Sequence, residues 1–302
     1  MAGESYRAVV AAVAGNVAIA ISKFLAAAFS GSAAMLSEAI HSLVDAGNDA
    51  LMLYGIHSSR KPPDAQHPFG YGHELYFWTL VVGIVIFALG GGMSIISGIV
   101  HILNRSPLEA GVWNYVVLAA GAVFEGISWV YGFHAFSLEQ RGRGVLETIQ
   151  RSKDPTTFSV LLEDSAALVG LAIAFVGIFV TAHFGIPWAD GASSILIGVL
   201  LCAVALVMVY ESKGLLIGEG VEKRTSESLR ALISADPAVE WIGRLVTMYL
   251  GPDEVMLAIE VRFRRENSRA ETRHAIARLT RAIQDKHPRI RHVYLDAASL
   301  GE

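Results

Sequence analysis

Four ionisable side chains fall within the thirteen residues of SEAIHSLVDAGND: Glu38, His41, Asp45 and Asp49. Their spacings of three and four put them on one face of a helix. Around them stand Ala39, Ile40, Leu43, Val44 and Ala46, and ALMLYGI follows, so the helix is an apolar rod with one polar stripe. An imidazole and a carboxylate four residues apart suit Zn²⁺, Co²⁺, Fe²⁺ or Mn²⁺, and zinc usually takes four ligands. Two are therefore still needed from another element. FSVLLEDSAALVG offers Glu163 and Asp164, set about 100° apart around a helix, so one of them is expected to face an ion. Asp164 is the first choice and Glu163 the reserve. Glu125 in AVFEGISWVYG is a further carboxylate in apolar surroundings. The competing reading is a His41–Asp45 pair that only ties helices together.

What must position these groups follows from composition. A chain of 302 residues with 53% hydrophobic and 17% charged residues is too apolar for an ordinary soluble domain. Six apolar runs, roughly 8–30, 33–57, 76–103, 112–136, 157–183 and 188–211, approach the ~20 residues that span a bilayer as helix. Polar stripes in such helices cost several kcal/mol when they meet lipid, so they face a bundle interior or a water-filled path. The first run lacks a basic start and a small-residue cleavage site, and is expected to be a retained helix. Loops 58–75 and 137–156 hold Arg60, Lys61, Arg141, Arg143, Arg151 and Lys153, against Arg105 alone on the other side, which predicts cytoplasmic termini. A net charge of −4 gives a nucleic-acid partner no support, and the single cysteine, Cys202, excludes an internal disulfide and is expected in the core.

Beyond about residue 212 charges become dense. SESLRALISA has helical periodicity, WIGRLVTMYLG and EVMLAIEVRF read as strands around a Gly-Pro turn, SRAETRHAIARLTRAIQDKH is an amphipathic helix with a serine cap, and IRHVYLDA is a strand. The expected architecture is an α-helical membrane domain over 1–212 and an α+β domain of order αββαβ over 213–302, small enough that self-association is expected.

HSLVD in the second helix, PPDAQHPFGYGHELYFW in the following loop, six spans and an αββαβ tail together resemble the cation diffusion facilitator family of zinc-type metal exporters. The resemblance covers nearly the whole chain. It implies a homodimeric metal/proton antiporter with its site between the second and fifth helices and a ferredoxin-like cytoplasmic domain. His41 and Asp45 match the family's second-helix pair. The fifth helix departs from the family pattern: where a histidine is expected near Asp164, this chain has Val160 or Leu168, depending on register. Glu163, Glu125, Asn48 or water is left to complete the site. Zn²⁺ is the expected cargo because an imidazole is present, with Mn²⁺, Fe²⁺, Co²⁺ and Cd²⁺ as alternatives that a carboxylate-rich site tolerates. A bacterial plasma membrane is the expected location.

Asp64 and His67, in the loop after the second helix, are by the same resemblance candidates for a secondary metal site, with Tyr71 nearby. The local reading is a tight turn built by Pro62, Pro63, Pro68, Gly70 and Gly72, with His67 as a brace. ALGGGMSIISG predicts close helix packing, Lys23 is expected to snorkel or to pair with an acidic neighbour, and Arg269, Arg273, Arg278 and Arg281 form a solvated face. In the tail, Ala258 or Ile259 stands where relatives carry a histidine, and His292 and Asp296 are too far apart along one strand to share an ion, so the tail is expected to dimerise by apolar burial without metal. No H-E-x-x-H occurs, which argues against a metallohydrolase. A membrane scaffold that binds metal without moving it is the remaining alternative.

Overall fold

The computed structural model describes residues 17–104, 111–140, 144, 147–149 and 152–296. Arg105, Arg141, Arg143 and Arg151, which carry much of the orientation argument, lie outside the described residues, as do residues 8–16 of the first apolar run. Of the described residues, those up to His57 with Phe77–Lys213 form one compact unit, and Ser58–Tyr76 with those from Gly214 onward form a second.

The first unit is a helix bundle: α1 (Val17–Ser30), α2 (Ala33–Ser59), α3 (His73–Asn104), α4 (Val112–Gln140), α5 (Pro155–Phe184) and α6 (Trp188–Ile217). By length and composition α3, α4, α5 and α6 are able to cross a membrane. Helix α2 has the length, at 27 residues, but Glu38, Asp45 and Asp49 take it out of the purely apolar class. Outward-facing Phe29, Leu103, Trp113 and Tyr131 are each at least 75% exposed, a surface suited to lipid rather than water. The interior is packed by small residues, Ala26, Ala27, Ala34, Ala166, Ala174 and Ala205, around Leu171, Ile197, Leu201 and Met208.

Close packing is sharpest between α3 and α6. A methyl group added at Gly91 would collide with Cys202 Sγ and the Gly198 carbonyl, and one at Gly98 with the Gly191 carbonyl. The two helices therefore touch antiparallel through glycines seven residues apart on each, beside a wide-turn π segment at Ile86–Gly92. Cys202 lies in this seam against Gly91 and is half-buried rather than in the core. Helix α5 starts at Pro155, capped by Asp154, whose carboxylate accepts from Thr156 N at 3.0 Å, and ends at left-handed Gly185. Its start fixes where Glu163 and Asp164 fall.

The second unit contains α7 (Lys223–Ser234), β1 (Val239–Gly251), β2 (Glu254–Phe263), α8 (Arg269–Lys286) and β3 (Ile290–Asp296), the expected αββαβ order. β1 and β2 pair antiparallel through a Pro252–Asp253 turn, and β2 pairs parallel with β3. Val255, Leu257, Ile259 and Val261 alternate into the core against Leu229 and Ile233 of α7 and Leu279 and Ile283 of α8. Ser268 and Glu271 form a reciprocal capping box on α8. The arginine face of α8 is not wholly solvated: Arg278 donates twice to Asp236, at 2.8 Å each. The segment 58–76 belongs to this unit. Gly72 lies so close to the Leu250 carbonyl that no side chain fits, and His73 Nε2 lies 3.0 Å from the Tyr249 carbonyl.

Candidate functional site

On α2, His41 is 1% exposed and its Nδ1 lies 3.3 Å from Asp45 Oδ1, without the alignment of a hydrogen bond. Neither ring nitrogen of His41, nor Asp45 Oδ1, nor either amide atom of Asn48 has a hydrogen-bond partner among the described residues, although all are buried. These atoms lie on one stripe, since Asn48 follows Asp45 by three and His41 by seven. Glu163 Oε1 on α5 is a further buried oxygen without a partner. Buried polar groups are ordinarily satisfied, so a concentration of orphans marks a place for a polar ligand.

Asp45 opens onto a cavity of about 70 Å³, lined also by Ser42, Asp49, Glu125, Glu163 and Asp164 with Ile19, Phe124, Ser128 and Val160. At roughly 10–15 Å³ per water it has room for several waters or a partly hydrated ion. Both Glu163 and Asp164 reach its wall. Their 100° separation around α5 still leaves both on the lining of this one cavity. Asp164 accepts from Ser128 Oγ of α4 at 2.8 Å, which ties α4 to α5, while Glu163 Oε1 has no hydrogen-bond partner among the described residues. Val160, one turn before Asp164, lines the cavity, and Leu168 does not. His41 stands behind Asp45 rather than on the wall. Among the described residues no three His, Cys, Asp or Glu side chains converge closely enough to enclose one ion. Ser42 and Ser128 were missed from the sequence. Their signal was spacing, Ser42 three residues before Asp45 and Ser128 three after Glu125.

Asp64 and His67 also come together, in the second unit, with His67 Nδ1 at 3.3 Å from Asp64 Oδ1. Here every polar atom of the carboxylate is used. Oδ1 accepts from Gln66 N at 2.9 Å and His67 N at 2.7 Å, and Oδ2 accepts from Tyr71 Oη at 2.6 Å. The Tyr71 hydrogen bond, helped by the His67 amide, pulls the Asp64 pKa down to about 2. In the sheet, Ile259 points into the core and Ala258 lies outward between Val246 and Tyr294. His292 is held by Glu254 at 2.8 Å, and Asp296 sits opposite Glu260.

Residues 9–217 match the family model of the cation efflux transmembrane domain. This chain belongs to the cation efflux, or cation diffusion facilitator, family. It is similar to the proton-coupled zinc antiporter SLC30A9, mitochondrial, of Xenopus laevis, at 35% identity over 80% of this chain and 44% of that protein. Metal tolerance protein C4 of Arabidopsis thaliana is 31% identical over 86% of this chain and 57% of its own length. Magnetosome protein MamM of Magnetospirillum gryphiswaldense is 25% identical over 90% and 82%. The chain thus spans less than half of the zinc antiporter it matches. A solved MamM C-terminal domain in its nickel form covers 26% of this chain at 15% identity and a TM-score of 0.24, a likeness too low to carry an argument.

Proposed function

We propose that this protein is a divalent metal/proton antiporter with zinc as its preferred cargo, and that the ion binds between α2 and α5. The observation that carries this is the set of orphaned buried atoms of His41, Asp45, Asn48 and Glu163 beside a carboxylate-walled cavity. Asp45 and Asp164 supply oxygen ligands from two helices, His41 turns its imidazole toward Asp45 to add nitrogen, and Glu163 or water stands in for the histidine absent at Val160. Imidazole and carboxylate must shed protons to bind metal, so ion capture and proton release are linked at one place. Access alternating between the two faces then lets an inward proton gradient drive the ion out. The family membership and the names of the relatives support this direction of transport.

A carboxylate majority around one imidazole also favours harder ions, which keeps Mn²⁺ and Fe²⁺ as the second reading. The six helices of 1–212 carry the ion in this reading, and the tail 213–302 pairs two copies through apolar sheet residues such as Val246 and Tyr294, with cytoplasmic termini in a bacterial plasma membrane. Asp64 and His67 serve as a loop brace and not as a second metal site. The test is metal uptake into proteoliposomes under an imposed pH gradient, comparing Zn²⁺, Mn²⁺, Fe²⁺, Co²⁺ and Cd²⁺. Gradient-dependent uptake led by Zn²⁺ is expected. Binding without flux would favour a non-transporting scaffold.

A further inference from the structure

Behind the cavity lies a buried ion pair that the transport reading does not use. Lys23 of α1 is 0% exposed; its ammonium lies 3.2 Å from Glu38 Oε2 and donates to Ser42 Oγ at 2.7 Å. Glu38 is also wholly buried, and its second oxygen, Oε1, has no partner among the described residues. Space for the pair is made by glycines of two other helices. A methyl at Gly121 of α4 would sit 3.3 Å from Lys23 Cε, and one at Gly170 of α5 would sit 2.5 Å from Glu38 Oε1. Ser42, the second acceptor of the ammonium, is itself part of the cavity wall with Asp45, Asp49, Glu125, Glu163 and Asp164. The Lys23 side chain is therefore stationed one hydroxyl away from the carboxylates that line the cavity.

A flexible four-carbon stem lets an ammonium move between acceptors, unlike the fixed fork of an arginine. Glu38 gives it an anion to stay with. Without that anion, Ser42 Oγ remains as an acceptor for the ammonium, and Ser42 shares the cavity wall with the carboxylates. We propose that Glu38 is a positioning residue for the transported ion, holding Lys23 at the edge of the cavity and so preventing its tethered ammonium from competing with the metal for Asp45 and its neighbours. This rests on the reading of the cavity as the metal site. Glu38 touches no metal in this scheme and acts through Lys23.

A buried ion pair that merely glues helices loses stability when either partner is removed, because either change strands a charge. A held-off competitor behaves asymmetrically. Purified full-length protein is assayed in proteoliposomes for Zn²⁺ uptake, with thermal stability followed in parallel. Glu38→Gln is expected to raise KM by about tenfold or more, the scale of a competitor tethered at millimolar effective concentration, with kcat restored at saturating Zn²⁺. Lys23→Gln is expected to keep KM at or below the wild-type value even though its stability falls as that of Glu38→Gln does. The double variant K23Q/E38Q is expected to follow Lys23→Gln. Should Glu38→Gln fail to fold, Glu38→Asp, which keeps the charge but draws it back by one methylene, is expected to raise KM by a smaller factor. Equal KM increases in both single variants, a loss of kcat with KM unchanged, or wild-type behaviour of Glu38→Gln would each overturn the inference while leaving the metal site standing. Wild-type protein with no affinity for any of the five metals would remove the site, and this inference with it.

Discussion

The protein contains the same pair twice. In α2 and in the loop after it, a histidine Nδ1 lies 3.3 Å from an aspartate Oδ1, and yet the two places have opposite character. In the loop both side chains are about half exposed, and the Asp64 oxygens are taken by Gln66, His67 and Tyr71. In the helix, His41 is 1% and Asp45 18% exposed, and the atoms that face each other have no hydrogen-bond partner among the described residues. The pair alone says little about metal binding. Whether its remaining lone pairs are already committed is what distinguishes a turn from a ligand site.

The largest effects should come from breaking the helix member. Asp45→Ala and Asp164→Ala are each expected to reduce metal uptake by more than ~100-fold, beyond the 10–100-fold typical of groups that only support a ligand. Fold and oligomeric state, checked by size exclusion, should survive, because the cavity is already polar and open to water. Next in size is His41→Asp. Replacing the imidazole with a harder ligand should shift preference from Zn²⁺ toward Mn²⁺ by about tenfold in competition assays. Unchanged selectivity would remove His41 from the ligand set.

The loop member should respond differently. Asp64→Asn is expected to change uptake by less than about twofold, the usual size for an exposed substitution. Its signature is pH. Because folding holds the Asp64 pKa at about 2, below its ordinary value of 3.8, the turn's stabilisation is complete at neutral pH and fades as pH falls through the range between those values. Hydrogen exchange at the Gln66 and His67 amides should therefore stay protected from pH 7 to about 4 and lose protection below that. Loss of protection near pH 6 would contradict the hydrogen bonds drawn from Tyr71.

Much of this contrast was legible in the sequence. The α2 stripe, the apolar run carrying Glu163 and Asp164, and the αββαβ tail all follow from periodicity, which fixes which residues share a face. Proline and glycine at 62, 63, 68, 70 and 72 marked the turn. Periodicity does not fix the width of a gap between helices, so it could not show that Glu163 and Asp164 both line one cavity. Nor does it reveal partners distant in sequence. Lys23 was expected either to snorkel or to pair with an acidic neighbour, and its connection to the cavity through Ser42 depends on how α1 packs against α2. The half-buried place of Cys202 likewise depends on glycines of α3 that no local pattern links to it.

The transported ion is expected to bind at the orphaned atoms and not at the satisfied ones. Anomalous diffraction from crystals of the full chain grown with Zn²⁺ tests it most directly. The expected result is a peak between α2 and α5 within bonding distance of Asp45 and Asp164, with none at Asp64 and His67. A peak at the loop pair and none in the cavity would contradict it.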